Sequence, residues 1–154
     1  MADWDIALRP VDGDRSSFVP LLLEADESEF VLRTYLNDGE FLEIIANGQD
    51  VGVVLLTSPE PAAVEIKNIA IRREHRGLGI GRAVIGCLAA RARSRGAERL
   101  LVGTADSSRR TIAFYLACGF SDAGRIAAFL DAYPEPIVEE GVQAHDMIRF
   151  QMIL

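Results

Sequence analysis

Residues 65–88 read EIKNIAIRREHRGLGIGRAVIGCL, an apolar run that breaks on three glycines in five positions, Gly77, Gly79 and Gly81, and resumes with helical period. A strand that turns into a helix through such a segment places glycine where the backbone needs positive φ or must lie bare to something close. The first N–H groups of the helix are left unpaired with the positive end of its dipole behind them, and Arg76 and Arg82 add charge on either side. The segment therefore predicts a site for phosphate or pyrophosphate. Gly81 is followed by Arg82 and Ala83, which excludes a P-loop, and Arg82 stands where a dinucleotide fingerprint needs its third glycine.

The strand before the turn carries a fault of parity. Val64 and Ile66 put its apolar face on even positions, whereas Ile69 and Ile71 put it on odd ones. A period of two cannot do this without one extra residue. A β-bulge at Lys67–Asn68 is expected, splaying the strand from a neighbour and leaving backbone groups for an extended ligand that carries amides.

Around this segment the chain reads as a strand (DIALRPV) and two helices, DRSSFVPLLLEA with Asp14 as its cap and SEFVLRTYL capped by Ser28. A hairpin follows, EFLEIIANGQDVGVVLLTS, turning at Asn47–Gly48. Then come a strand at about 62–72, a helix at about 79–95 and the strand ERLLVGT at 98–104. A helix at about 107–118 has Asp106 and Ser107 as candidate caps and closes at Gly119; GFSDAGRI is a further strand. The loop YPEPIVEEG leads to a last strand in AHDMIRFQMIL. Antiparallel strands first and a β-α-β-α-β unit later imply an α/β (α+β) mixed sheet covered by helices.

With 154 residues, 49% of them hydrophobic, the chain has room for one domain, 1–154, and not for two. Its N-terminus has no apolar leader pattern, and no run approaches the roughly 18 apolar residues of a membrane span, so a cytoplasmic protein with no membrane partner is expected. Cys87 and Cys118 have no partner at metal-ligand or CxxC spacing and read as reduced core thiols; no metal is expected.

The net charge of −7 argues against nucleic acid as a partner, and its distribution is uneven. Residues 72–110 hold 10 basic and 3 acidic side chains, while residues 1–71 hold 4 and 14 and residues 111–154 hold 2 and 6. A basic island thus surrounds the glycine turn. Arg91, Arg93 and Arg95 fall in the last helical turn before Gly96, where cations suit the dipole, and read as a solvated face.

RGLGIG, 76–81, resembles the R/Q-x-x-G-x-G/A signature of the GNAT superfamily of acetyl-CoA-dependent N-acetyltransferases, and TIAFYLACGF, 111–120, is similar to that family's second motif. The resemblance is close over about 62–126, and the ending HDMIR is similar to a bacterial branch whose acceptors are unassigned. It implies a central, mostly antiparallel twisted sheet with a splayed parallel strand pair, flanked by about four helices. It also implies direct acetyl transfer in a ternary complex to an amine of a small molecule or peptide, by an enzyme that allows a homodimer. Carried over by position, the backbone of Ile69, Ala70 and Ile71 would pair with the pantetheine amides of acetyl-CoA. The amides of Gly77, Leu78, Gly79, Ile80, Gly81 and Arg82 would cradle the pyrophosphate, with Arg76 beside them. Tyr115 would protonate the departing thiolate, and Glu65 would serve as base, directly or through water. Ser108 stands where many members have Asn and would bond pantetheine or water.

Each residue has a plainer reading: helical tyrosines mostly pack, strand glutamates often face solvent, and His145 reads as structural. A rival class is a non-catalytic acyl-CoA sensor, against which Glu65 and Tyr115 both speak. The stretches LLEADESEF (Glu24, Asp26, Glu27, Glu29) and DAYPEPIVEEG (Asp131, Glu135, Glu139, Glu140) are expected to wall the acceptor side and to favour a small cationic amine.

Overall fold

The computed structural model describes residues 3–154. Its central sheet has seven strands: β1 (Ile6–Pro10), β2 (Glu40–Ala46), β3 (Gln49–Thr57), β4 (Ala63–Ile71), β5 (Arg99–Ala105), β6 (Ser121–Ile126) and β9 (Met147–Ile153). A two-stranded ladder, β7 (Val138–Glu139) and β8 (Val142–Gln143), lies in the loop before β9. The strand order is β1-β2-β3-β4-β5-β9-β6, antiparallel throughout except for the β4–β5 pair. The mixed sheet, its single parallel pair and the four helices are those expected from the sequence.

The β2–β3 hairpin turns on Asn47 (φ 50°) and Gly48 (φ 82°), two successive positive φ values that match the strand twist. Helix α3 (Ile80–Ser94) buries Ile80, Val84, Ile85, Leu88, Ala89 and Ala92, a stripe of helical period, on one face of the sheet. With α4 (Arg109–Ala117) it covers Leu42, Ile44, Val54, Leu100 and Val102. Helices α1 (Val19–Leu22) and α2 (Glu29–Tyr35) cover the other face through Leu22, Leu32 and Tyr35 on Phe41, Val53 and Leu55. A fully buried leucine such as Leu88 contributes about 1.5–3 kcal/mol. Its truncation to alanine is expected to cost about 2–5 kcal/mol.

The parity fault is a bulge. Leu55 lies opposite Asn68 and Leu56 opposite Ile66, which leaves Lys67 as the extra residue. Val64, Ile66, Ile69 and Ile71 consequently all pack toward α3, and Ala70 packs toward α1 and α2. Parallel pairing of β4 with β5 ends at Ile66 opposite Val102, and beyond that point the strands part.

Two local expectations are corrected. The helix expected over 14–25 is a 3-10 turn at Ser16–Phe18 followed by the four residues of α1. Pro20 is the cause: it has no N–H to donate and is tolerated only in a first turn, where it sits, so the helix cannot begin at residue 14. Asp14 instead accepts from the N–H of Ser16 (2.9 Å), the residue that opens the 3-10 turn, whose N-cap position is Arg15. The β7–β8 ladder is too short to show period, and its turn uses Glu140 at φ 51°, an unusual residue for that conformation. Ser28 caps α2 as expected, its Oγ accepting from the N–H of Val31.

Candidate active site

The parting of β4 and β5 opens a cleft of about 820 Å³ that runs from the glycine turn to the loops after α1 and before β9. At the turn end, Gly79 is the N-cap of α3 at φ +86° and Gly77 stands at φ +73°. The first helical bond is from the N–H of Ala83 to the oxygen of Gly79. Among the described residues no acceptor is bonded to the N–H groups of residues 77–82. Six consecutive free donors at a helix N-terminus fit the oxygens of a pyrophosphate.

Gly81 has a different reason from its neighbours. A Cβ there would come within 3.2 Å of the Phe114 ring, so this glycine allows α4 to approach α3. Ile80 is buried in the core and Leu78 projects outward, so both could reach a ligand only through the backbone. The loop is also anchored from a direction that sequence reasoning missed: the indole N–H of Trp4 donates to the oxygen of Leu78 at 3.0 Å. Arg82 lines the cleft and is exposed, and among the described residues no carboxylate pairs with it. Arg76 also lines it, but Nε donates to the oxygen of Ile71 (2.8 Å) and Nη2 lies 3.3 Å from Glu24. It therefore tethers the turn to the end of β4.

In the middle of the cleft, the β4 edge carrying Ile69, Ala70 and Ile71 faces Val102–Ala105 across the gap. Tyr115 stands beside it, held by the way α4 ends. The N–H of Phe120 bonds the oxygen of Tyr115 and the N–H of Gly119, at φ +100°, bonds that of Leu116, a left-handed helix end in which the residues on either side of the turn touch. The Tyr115 and Phe120 rings meet edge to face at 5.4 Å, with Phe114 at 5.3 Å on another side. Burial, with a smaller contribution from Cys118, pushes the Tyr115 hydroxyl above the usual tyrosine range. No hydrogen bond within the described residues engages that hydroxyl, so it is a neutral donor free for a ligand in the cleft.

Several expected roles shift. Cys118 lines the cleft as well as touching the core, and burial raises its thiol, opposed by Arg82. Ser108 donates to Oε1 of Glu139 at 2.7 Å, so its hydroxyl already has a protein partner. Ser108, rather than Asp106 or Ser107, is the N-cap position of α4, although its side chain makes no capping bond. Asp106 accepts from the N–H of His145, and Ser107 lies 3.5 Å from Glu139. His145 pairs with Asp131 at 2.7 Å. Glu65 is not among the residues that line the cleft: it lies where β4 is still paired on both sides, with the hydroxyl of Thr57 at 3.4 Å. Arg91 bonds Glu40 at 2.6 Å and Arg95 lies 3.6 Å from it, which leaves only Arg93 of that trio as a solvated decoration.

The far half of the cleft is acidic. Of the eight carboxylates expected to wall it, Glu24, Asp26, Glu27 and Glu139 do. Glu29 and Asp131 are instead paired with Arg33 and His145, and Glu135 and Glu140 do not line it. Burial, then Glu139, then Asp26 push the Glu27 carboxyl above the usual range. Asp26 accepts from the Tyr35 hydroxyl at 2.7 Å, and that hydroxyl accepts from Nδ2 of Asn68 at 3.1 Å. Sequence reasoning missed Tyr35 and Asn68; a polar asparagine inside an apolar strand was the available signal. A second groove, of about 930 Å³, lies between the β3–β4 connection and the end of α3. In it the single carboxylate of Glu40 is shared by Arg91 at 2.6 Å and Arg95 at 3.6 Å, which leaves one positive charge over within that trio.

Comparison with known proteins agrees with this geometry. The sequence profile of the acetyltransferase (GNAT) family matches residues 10–120. The uncharacterized N-acetyltransferase YvbK of Bacillus subtilis (strain 168) is 35% identical over 139 residues, 87% of this chain and 87% of that protein. A Bacillus subtilis acetyltransferase solved in complex with CoA is 30% identical, with a TM-score of 0.85 over 97% of this chain and 99% of that one. A GNAT family acetyltransferase from Elizabethkingia anophelis with acetyl-CoA bound gives the same identity and TM-score over 98% of each chain.

Proposed function

The chain belongs to the GNAT family of acetyltransferases, and from that premise we propose that it moves the acetyl group of acetyl-CoA directly to the amine of a small cationic acceptor. The observation that carries the proposal is the continuity of the cleft. Unpaired amides at 77–82 lead to the unpaired edge of β4, and that edge leads to a wall of carboxylates.

The residues fit the cosubstrate. Amides 77–82 and Arg82 bind the pyrophosphate, with Arg76 holding the turn in place, and the edge of Ile69, Ala70 and Ile71 pairs with the pantetheine amides. Acetyl-CoA supplies a thioester, whose thiol, with a pKa near the 8.5 or so of cysteine, is a fair leaving group. An N–H near Ile69 polarises the thioester oxygen. Tyr115, kept neutral by its surroundings, donates to the departing sulfur; it assists a step that is already feasible. Ser108, being held by Glu139, is assigned to the wall of the cleft before it is assigned to the cosubstrate. The amine must shed a proton to become a nucleophile. Glu65, set back from the cleft, acts in this reading only through water.

Thiol release from acetyl-CoA with matched cationic and anionic amines, across a salt series, tests the proposal. Carboxylates that gather cations act over about 8 Å at physiological ionic strength, so the cationic amine should be preferred and should weaken as salt rises. A preference for the anionic amine overturns the acceptor assignment. Binding of acetyl-CoA without turnover on any amine overturns catalysis in favour of a sensor.

A further inference from the structure

Of the 16 lysine and arginine side chains in the chain, Lys67 is the one lysine. A guanidinium stays protonated and is no nucleophile, so Lys67 carries the only side-chain amine to which an acyl group could be moved. It is also the residue that the bulge adds. On the β3 side Leu55 lies opposite Asn68 and Leu56 opposite Ile66, and on the β5 side pairing stops at Ile66, so Lys67 has no cross-strand partner on either. A bulge re-aims a side chain, and this one lines the cleft, exposed, where the strands part. Its ammonium lies 5.0 Å from the Tyr35 ring centroid. Although Asp26, Glu27 and Glu139 line the same half of the cleft, among the described residues no carboxylate pairs with it. The amine thus rests on an aromatic face and is fixed by no ion pair, on a stem that is free to turn.

The direction of β4 brings this amine to the reacting end. With the pyrophosphate at residues 77–82, beyond the C-terminal end of the strand, the pantetheine runs back along Ile71, Ala70 and Ile69 and leaves the thioester beside Ile69. The next residues in that direction are Asn68 and Lys67. Asn68 is buried, its Nδ2 bonded to the oxygen of Leu22 and to the Tyr35 hydroxyl. Lys67 is therefore the first nucleophilic side chain of β4 past the thioester, two residues or about 7 Å of strand from Ile69.

Resting on the acetyltransferase reading above, we propose that Lys67 is a modification site, which the enzyme acetylates within its own chain with acetyl-CoA as donor. The ammonium gives one proton to solvent. Its lone pair then attacks the thioester carbon, a C–N bond forms and the C–S bond breaks. The second proton that the nitrogen loses reaches the departing sulfur through the Tyr115 hydroxyl, so CoA leaves as a thiol and Lys67 is left as a neutral amide. Acetylation withdraws a cation from the Tyr35 face and from the acidic half of the cleft. Modified chains should then draw a cationic amine more strongly than fresh ones, so that donor supplied without an acceptor tunes the acceptor site.

The test is intact-mass spectrometry of the full chain incubated with acetyl-CoA and no added amine, followed by peptide mapping. One acetyl group should appear on Lys67, at a rate per molecule that does not change with protein concentration. Excess CoA, which fills the cleft without an acetyl group, should suppress the labelling, and Lys67→Arg should abolish it while keeping the positive charge. After labelling, kcat/KM for a cationic amine such as butylamine should rise by roughly two- to fivefold, the scale of one like charge removed at a partly screened distance. Lys67→Gln should match that rise. An unlabelled Lys67, or labelling that excess CoA leaves undiminished, which marks plain chemical acetylation, overturns the proposal. A rate per molecule that climbs with protein concentration overturns transfer within one chain, and a kcat/KM that does not rise overturns the tuning. If no amine of any kind is acetylated while CoA still binds, the acetyltransferase reading falls and this inference with it, whereas turnover on added amines with Lys67 untouched sinks the inference alone.

Discussion

The indole N–H of Trp4 and the carbonyl oxygen of Leu78, 74 positions apart in sequence, are joined by a hydrogen bond of 3.0 Å. Trp4 packs on the core beneath the turn and does not line the cleft, so it reaches the cleft only through the loop it holds. Trp4→Phe retains most of the packing and deletes the donor. CoA affinity should weaken by roughly two- to tenfold, the net worth of one hydrogen bond, while KM for the amine stays put. Calorimetry showing wild-type affinity would mean that the loop holds its shape unaided.

The glycines should separate under substitution. Gly79→Val forces a β-branched residue to φ +86°, at a strain of about 1–3 kcal/mol, at the point where the amides converge. Gly81→Val instead drives a side chain into Phe114, an overpacking cost of about 1–3 kcal/mol. The first should lose CoA binding more than thermal stability and the second the reverse. Parallel losses in both would sink the distinction.

Tyr115→Phe removes a hydroxyl that makes no hydrogen bond within the described residues, so Tm should change little. Turnover should fall by roughly ten- to a thousandfold with CoA affinity preserved. If binding and turnover decline together, the ring is a packing element and nothing more.

The His145–Asp131 contact gives a pH prediction. The hydrogen bond to Asp131, and then its charge, raise the His145 pKa above its ordinary 6.5. A raised folded-state pKa means stability that is fully present below the unfolded value and is lost as pH rises through the folded one. The Tm advantage of wild type over His145→Gln should therefore be present at about pH 5.5 and shrink by about pH 8.5. The group is exposed, so the effect should be small, and a Tm difference that does not vary with pH would dissociate the pair from stability.

Those elements that bury one face could be read from the sequence. The bulge at Lys67 was legible because Val64, Ile66, Ile69 and Ile71 all had to reach the same cluster, and only an extra residue allows it. The helix at 14–25 misled because apolar period outweighed the position of Pro20. What stayed hidden is what distant segments bring together. Ser108 looked free for a ligand because Glu139, 31 residues on, is not a neighbour in sequence. Parity placed Lys67 at the bulge, but the Tyr35 ring beneath its ammonium belongs to α2 and came into view only with the fold.

The extra residue in β4 leaves the sheet unfinished from the inside. Ordinary sheets have loose edges only at the two ends of the strand order; this one has a gap in its middle, between β4 and β5. A slender ligand lying there completes a ladder, which makes it a part of the folded state. Native population then rises with ligand concentration by mass action, by about 2.7 kcal/mol at a hundredfold excess over the dissociation constant. Backbone amides along that gap should exchange with solvent more slowly as the thioester accumulates. A thioester bound in that gap should thus prolong the life of each molecule as well as feed its reaction.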